Sequence, residues 1–124
     1  MKISKLIAAK ETMKPLCQER VSPRLAYKFM KFLSKIETEE QFYNTKMREI
    51  IETYGERDDK GGFVFVGEGI KIVKDKIDEC NKKIADLSET EVDAPDIYFS
   101  IDELSEVKMS AKEILALSDF IKED

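Results

Sequence analysis

The sequence predicts a mainly helical α+β fold: a long antiparallel helical hairpin with a small two-stranded antiparallel sheet and a C-terminal helix. Three observations predict it. Apolar residues recur at helical spacing from Leu25 to Tyr54, and again from Ile70 to Leu87. All five glycines fall between Gly55 and Gly69, where the two helices must be joined. Two runs rich in β-branched and aromatic residues, 63–66 and 97–101, supply the strands. A chain of 124 residues is one domain by length and buries a real core. It divides into a basic N-terminal segment (1–22), the hairpin (23–88) and an acidic C-terminal strand and helix (89–124).

Residues 3–17 form a short amphipathic segment with Ile3, Leu6, Ile7, Met13, Leu16 and Cys17 apolar. Pro15 argues against one uninterrupted helix, and a strand and turn followed by a short helix is expected. Ser22-Pro23 then opens a helix, a cap residue followed by proline at the first helical position. Leu25, Phe29, Phe32, Ile36, Tyr43, Met47, Ile50 and Tyr54 share one face, and Gly55 stops the helix, giving a span of 23–54. A tight turn is expected at Asp59-Lys60-Gly61-Gly62, before a strand at 63–66. Ile70, Val73, Ile77, Cys80, Ile84 and Leu87 alternate three and four apart, predicting a second helix over 69–88. It should pack antiparallel on the first, so that a charge at Ile77 would unfold the domain. The run 97–101 is expected to pair with 63–66. Ser110 and Glu113 have capping-box spacing and open a last helix over 111–122.

Charge is divided unevenly. Residues 1–35 hold nine basic and two acidic residues, or +7, while residues 36–124 hold 12 basic and 24 acidic, or −12. Such polarity favours internal docking or head-to-tail assembly, and a homo-oligomer is expected. Arg20, Arg24, Lys28, Lys31 and Lys35 are spaced by four, four, three and four. From Arg24 onward they lie within about 60° of one another on a helix. This stripe is the candidate partner-binding surface, a docking ridge for phosphates, for an acidic partner or for an acidic patch on another copy of the chain. The acidic remainder disfavours nucleic acid. The stretch 86–124, with 12 acids and three lysines, is a candidate docking surface of opposite sign.

The absence of histidine removes the commonest general base, zinc ligand and pH switch. Cys17 and Cys80 lack CxxC spacing and are expected to be small buried apolar residues. No catalytic residue, metal ligand or cofactor is predicted, and the chain is expected not to be an enzyme. Carboxylate or metal-ion chemistry is the enzymatic alternative, which the missing histidines disfavour. Gly67 and Gly69 are candidate ligand-binding residues, because glycines before a helix can offer backbone N–H groups to a phosphate. Glu68 between them would repel it. No stretch reaches the ~20 apolar residues needed to span a membrane, the opening residues do not predict a signal peptide, and a cytoplasmic protein is expected.

Three stretches carry a resemblance. They are Ile51-Glu52-Thr53-Tyr54-Gly55-Glu56-Arg57-Asp58-Asp59-Lys60-Gly61, Glu91-Val92-Asp93-Ala94-Pro95 leading into Ile97, and Leu115-Ala116-Leu117-Ser118-Asp119-Phe120-Ile121. In these the chain resembles a group of small accessory proteins of tailed phages of Gram-positive bacteria. The resemblance implies phage origin and a non-enzymatic role in the host cytoplasm, with no catalytic residue to carry over. The expected function is binding of a protein partner, with inhibition of a host anti-phage factor as its effect. Two alternatives stand beside it: an oligomeric sponge for a small phosphorylated host signalling molecule, and a structural or assembly protein of the phage particle. The sponge would use Arg20, Arg24 or Lys28 with the glycine loop.

Overall fold

The computed structural model describes residues 1–122. In chain order it has helices α1 (Ile3–Leu16) and α2 (Pro23–Tyr54), strands β1 (Phe65–Val66) and β2 (Gly69–Ile70), and helices α3 (Ile77–Ser88), α4 (Ile101–Leu104) and α5 (Ala111–Ala116). Short 3-10 turns precede α3 and follow α5. The architecture is the predicted one, mainly helical with a long helix pair and a small antiparallel sheet.

The N-terminal segment departs from expectation: α1 is one helix despite Pro15. The proline lies in the last turn, where its missing N–H forfeits one bond and ends the helix instead of splitting it. Ile3, Leu6, Ala9, Met13 and Leu16 step three or four residues at a time and are all buried. A strand would have sent half of them to solvent.

Helix α2 has its predicted bounds. Ser22 Oγ accepts from the Leu25 N–H at 3.3 Å, and Pro23 occupies the first turn. Gly55 ends it for a reason other than a left-handed cap, since its φ is −69°. A Cβ there would lie 2.8 Å from Ile70 Cγ2 and 2.9 Å from Phe63 Cδ1. Glycine lets the following segment close onto the helix end.

That segment forms the predicted turn. Asp58 Oδ1 accepts from the Lys60 and Gly62 N–H groups at 2.9 Å each, and Gly61 takes φ +81°. The strand pairing is corrected. β1 pairs with β2 (Phe65 opposite Ile70, Val66 opposite Gly69), not with 97–101. Gly67 has φ +63° and Glu68 does not share it, a type II′ hairpin turn. Closing two residues costs less chain entropy than closing thirty. Phe99 instead runs parallel to Ile121: its N–H donates to the Phe120 carbonyl at 2.7 Å, and its carbonyl accepts from Lys122 N–H at 2.9 Å.

The second helix is also shorter than its apolar row. It begins at Ile77, not at 69. Ile70 lies in β2, Ile72 bridges Gly55, and the Val73 N–H donates to the Tyr54 carbonyl at 2.9 Å. Cys80 and Leu87 are buried, but Ile77 is 44% exposed. A charge there enters no closed seam, so the expectation that it unfolds the domain is withdrawn. The last helix opens with the predicted Ser110–Glu113 capping box but ends at Ala116.

The core sits at the N-terminal half of α2. Phe29 and Phe32 meet Phe99 at ring separations of 5.5 and 5.8 Å, and Phe32 meets Phe120 edge-on at 4.8 Å. Helix α1 and the residues around α4 and α5 supply Leu6, Met13, Leu104 and Leu117 to the same cluster.

Candidate binding surface

The continuity of α2 decides how its basic residues are displayed. Arg24, Lys28, Lys31 and Lys35 occupy one flank of an unbroken helix, beside the row that enters the core. Over about 16 Å of axis, that flank carries four cations. Arg20 precedes the helix, in the exposed segment after α1.

The chain satisfies much of its own N-terminal charge. The terminal ammonium meets Glu91 at 2.9 Å, Lys2 meets Glu89 at 3.8 Å, and Lys5 meets Asp119 at 3.0 Å. Lys10, nearly buried, donates to Glu40, and Lys14 approaches the other Glu40 oxygen at 3.6 Å. The hydrogen bond from Lys10, aided by the charge of Lys14, holds the Glu40 carboxyl below its ordinary range against partial burial. Internal docking therefore absorbs the N-terminal charge of α1.

Lys28 is drawn into the fold as well. Its ammonium lies 2.9 and 3.0 Å from the two Glu103 oxygens and 5.0 Å from the centre of the Phe99 ring. Glu103 also accepts from the Ser100 N–H at 3.0 Å. That backbone bond, then Lys28, depresses the Glu103 carboxyl. Lys28 is thus a clamp between α2 and α4.

Arg20, Arg24, Lys31 and Lys35 are different. All four are exposed, and none enters an ion pair among the described residues. Lys31 rests 5.8 Å from the centre of the Tyr27 ring, which is 59% exposed. Phe42, also exposed, continues the flank one heptad beyond Lys35. The sequence places Tyr27 and Phe42 near the stripe without marking either as exposed; the spacing of Phe42, seven from Lys35 and eleven from Lys31, puts it on the same flank.

Gly67 and Gly69 do not join this surface. The premise for a phosphate site there, glycines leading straight into a helix, is overturned, because residues 67–69 form a hairpin and the helix starts at Ile77. The hairpin lies beyond the C-terminal end of α2, whereas Arg20, Arg24 and Lys28 lie at or near its N-terminal end. From Lys28 to the end of the helix at Tyr54 the rise is about 39 Å. The two cysteines also differ from expectation: Cys80 is buried, but Cys17 is exposed, and both are free thiols. No helix among the described residues is long and apolar enough to cross a membrane. Compared with protein-family models, curated proteins and solved structures, the chain matches none.

Proposed function

We propose that the chain is a non-enzymatic binding protein whose ridge of Arg24, Lys31 and Lys35, with Arg20 at its head, engages an acidic surface of a protein partner. One observation carries this reading. After the internal ion pairs are formed, the cations of residues 1–35 that stay exposed and unpaired among the described residues are these four, and they follow one another along one stretch of chain. Unpaired surface charge of one sign steers association with a partner of the other sign. Tyr27 and Phe42 add apolar contact beside it, as interface anchors do. The phage resemblance supports a host factor as that partner, inhibited by occupation of its acidic surface.

The test is parallel capture from a bacterial lysate by the parent and by the Arg24→Glu/Lys31→Glu/Lys35→Glu variant. Lys28 is left in place, so the clamp to Glu103 survives. The reading requires a polypeptide held by the parent, released by raised salt and missing from the variant, while the two proteins melt alike. A polypeptide held equally by both reduces the ridge to a solvated flank. A phosphorylated small molecule in the native mass spectrum, in place of a polypeptide, favours the sponge.

A further inference from the structure

The far half of α2 presents a second surface, independent of the ridge. The apolar row of α2 continues past its middle as Tyr43, Met47, Ile50 and Tyr54, yet no residue of the helix beyond Ile36 is buried. On α3, Ile77 and Ile84 are two turns apart on one edge; Ile77 is 44% exposed and Ile84 is half-buried. Two helices alone leave one side of their seam open to water. The whole surface agrees: it measures 8665 Å². A compact monomer of 14.3 kDa exposes about 6,800 Å². That excess of about 1,900 Å² belongs to the chain as a whole, and an obligate dimer needs about 1,000 Å² of such surface from each copy.

We propose that this open seam is a homodimer interface. Its occupant is the same seam of a second copy, the two α2–α3 pairs forming a four-helix bundle around a two-fold axis. A second copy fits better than a foreign partner for two reasons. The face offers helix-spaced aliphatic and aromatic residues of the kind that pair with themselves in bundles. Its border on α3, beyond the Ile77 and Ile84 edge, also carries both signs, Asp78 with Lys82, which a two-fold contact can match against themselves. The N-terminal ridges would then lie at the two outer ends of the dimer, free for partners.

Sedimentation of the full chain tests this, with Ile77→Asp, Ile84→Gln and, as a control off the seam, Leu115→Asp. Leu115 on α5 is 73% exposed. Ile77→Asp keeps the monomer folded, because the site is exposed and an acid suits a helix N-terminus. Ile84→Gln repeats the probe without adding charge. The expected result is a parent at twice 14.3 kDa, a dissociation constant raised at least tenfold by each seam variant with helical circular dichroism retained, and no change for Leu115→Asp. A parent that stays monomeric at the highest loading overturns the proposal. So does a dimer that tolerates both seam variants, or one that Leu115→Asp breaks equally well.

Discussion

Helix α2 carries one apolar row through two environments. From Leu25 to Ile36 the row is buried, under the aromatic cluster of Phe29, Phe32, Phe99 and Phe120. From residue 37 to Tyr54 none of the helix is buried, although the spacing of the row is unchanged. The near half has α1 and the C-terminal elements packed on it; the far half has α3 and the glycine-rich hairpin. Periodicity therefore states which face a helix turns inward. How much of that face leaves water depends on how many other elements arrive.

The largest effect that sharpens this contrast is a pair of truncations on the same row. Phe32→Ala should cost about 4 kcal/mol, because a buried ring with aromatic neighbours leaves a cavity. Met47→Ala, in the half-exposed part, should cost about 1 kcal/mol. Urea denaturation measured on dilute samples compares them, and equal costs would erase the distinction between the halves.

A second change probes the boundary between the halves, where Glu40 receives Lys10 and Lys14. Glu40→Gln should destabilise by about 3 kcal/mol, since it strands the nearly buried Lys10 ammonium. Lys10→Met/Glu40→Leu should recover most of the loss, and a double-mutant cycle measures the coupling. If the single variant melts like the parent, the pair contributes nothing to the junction.

The smallest effect is the response to acid. Glu40 and Glu103 both have carboxyls depressed in the folded chain. Their contribution is fully present above the unfolded carboxylate value of about 4.3, and is lost as pH falls through the lower folded values. The midpoint of melting should therefore drop below about pH 4, and Glu103→Gln should flatten that drop. Because Glu103 braces the near half of α2 through Lys28 and Glu40 ties its border to α1, amide exchange there should quicken first on acidification. Earlier loss in the α3 region would reassign the acid-sensitive contacts to the far half.

Legibility followed the range of the interactions. The start of α2 was readable because Ser22 and Pro23 act within its first turn. The Ser110 capping box was readable for the same reason. Gly55 marked the other end of α2 for a reason not local to it, the close approach of Phe63 and Ile70. The Ser100–Glu103 box was available in the letters, but it opens a helix of four residues, too short to show a period. The row from Ile70 to Leu87 misled: its first members satisfy helical spacing, but Ile70 pairs with Phe65 as extended chain and the Val73 N–H donates to the Tyr54 carbonyl. Of the basic stripe, the alignment on one helix flank was legible. The withdrawal of Lys28 to Glu103, 75 residues away, was not.

By itself the sequence determined the helical class, the span and N-cap of α2, the glycine turn at 59–62 and the polarity of charge, all legible from residues near one another in the chain. Tertiary structure decided that α1 stays helical through Pro15, that the strands close locally, that α3 starts late, and which cations remain exposed. Those outcomes depend on burial and ion pairing between segments far apart in the chain. Backbone hydrogen bonds within a helix do not encode which distant surface will cover it.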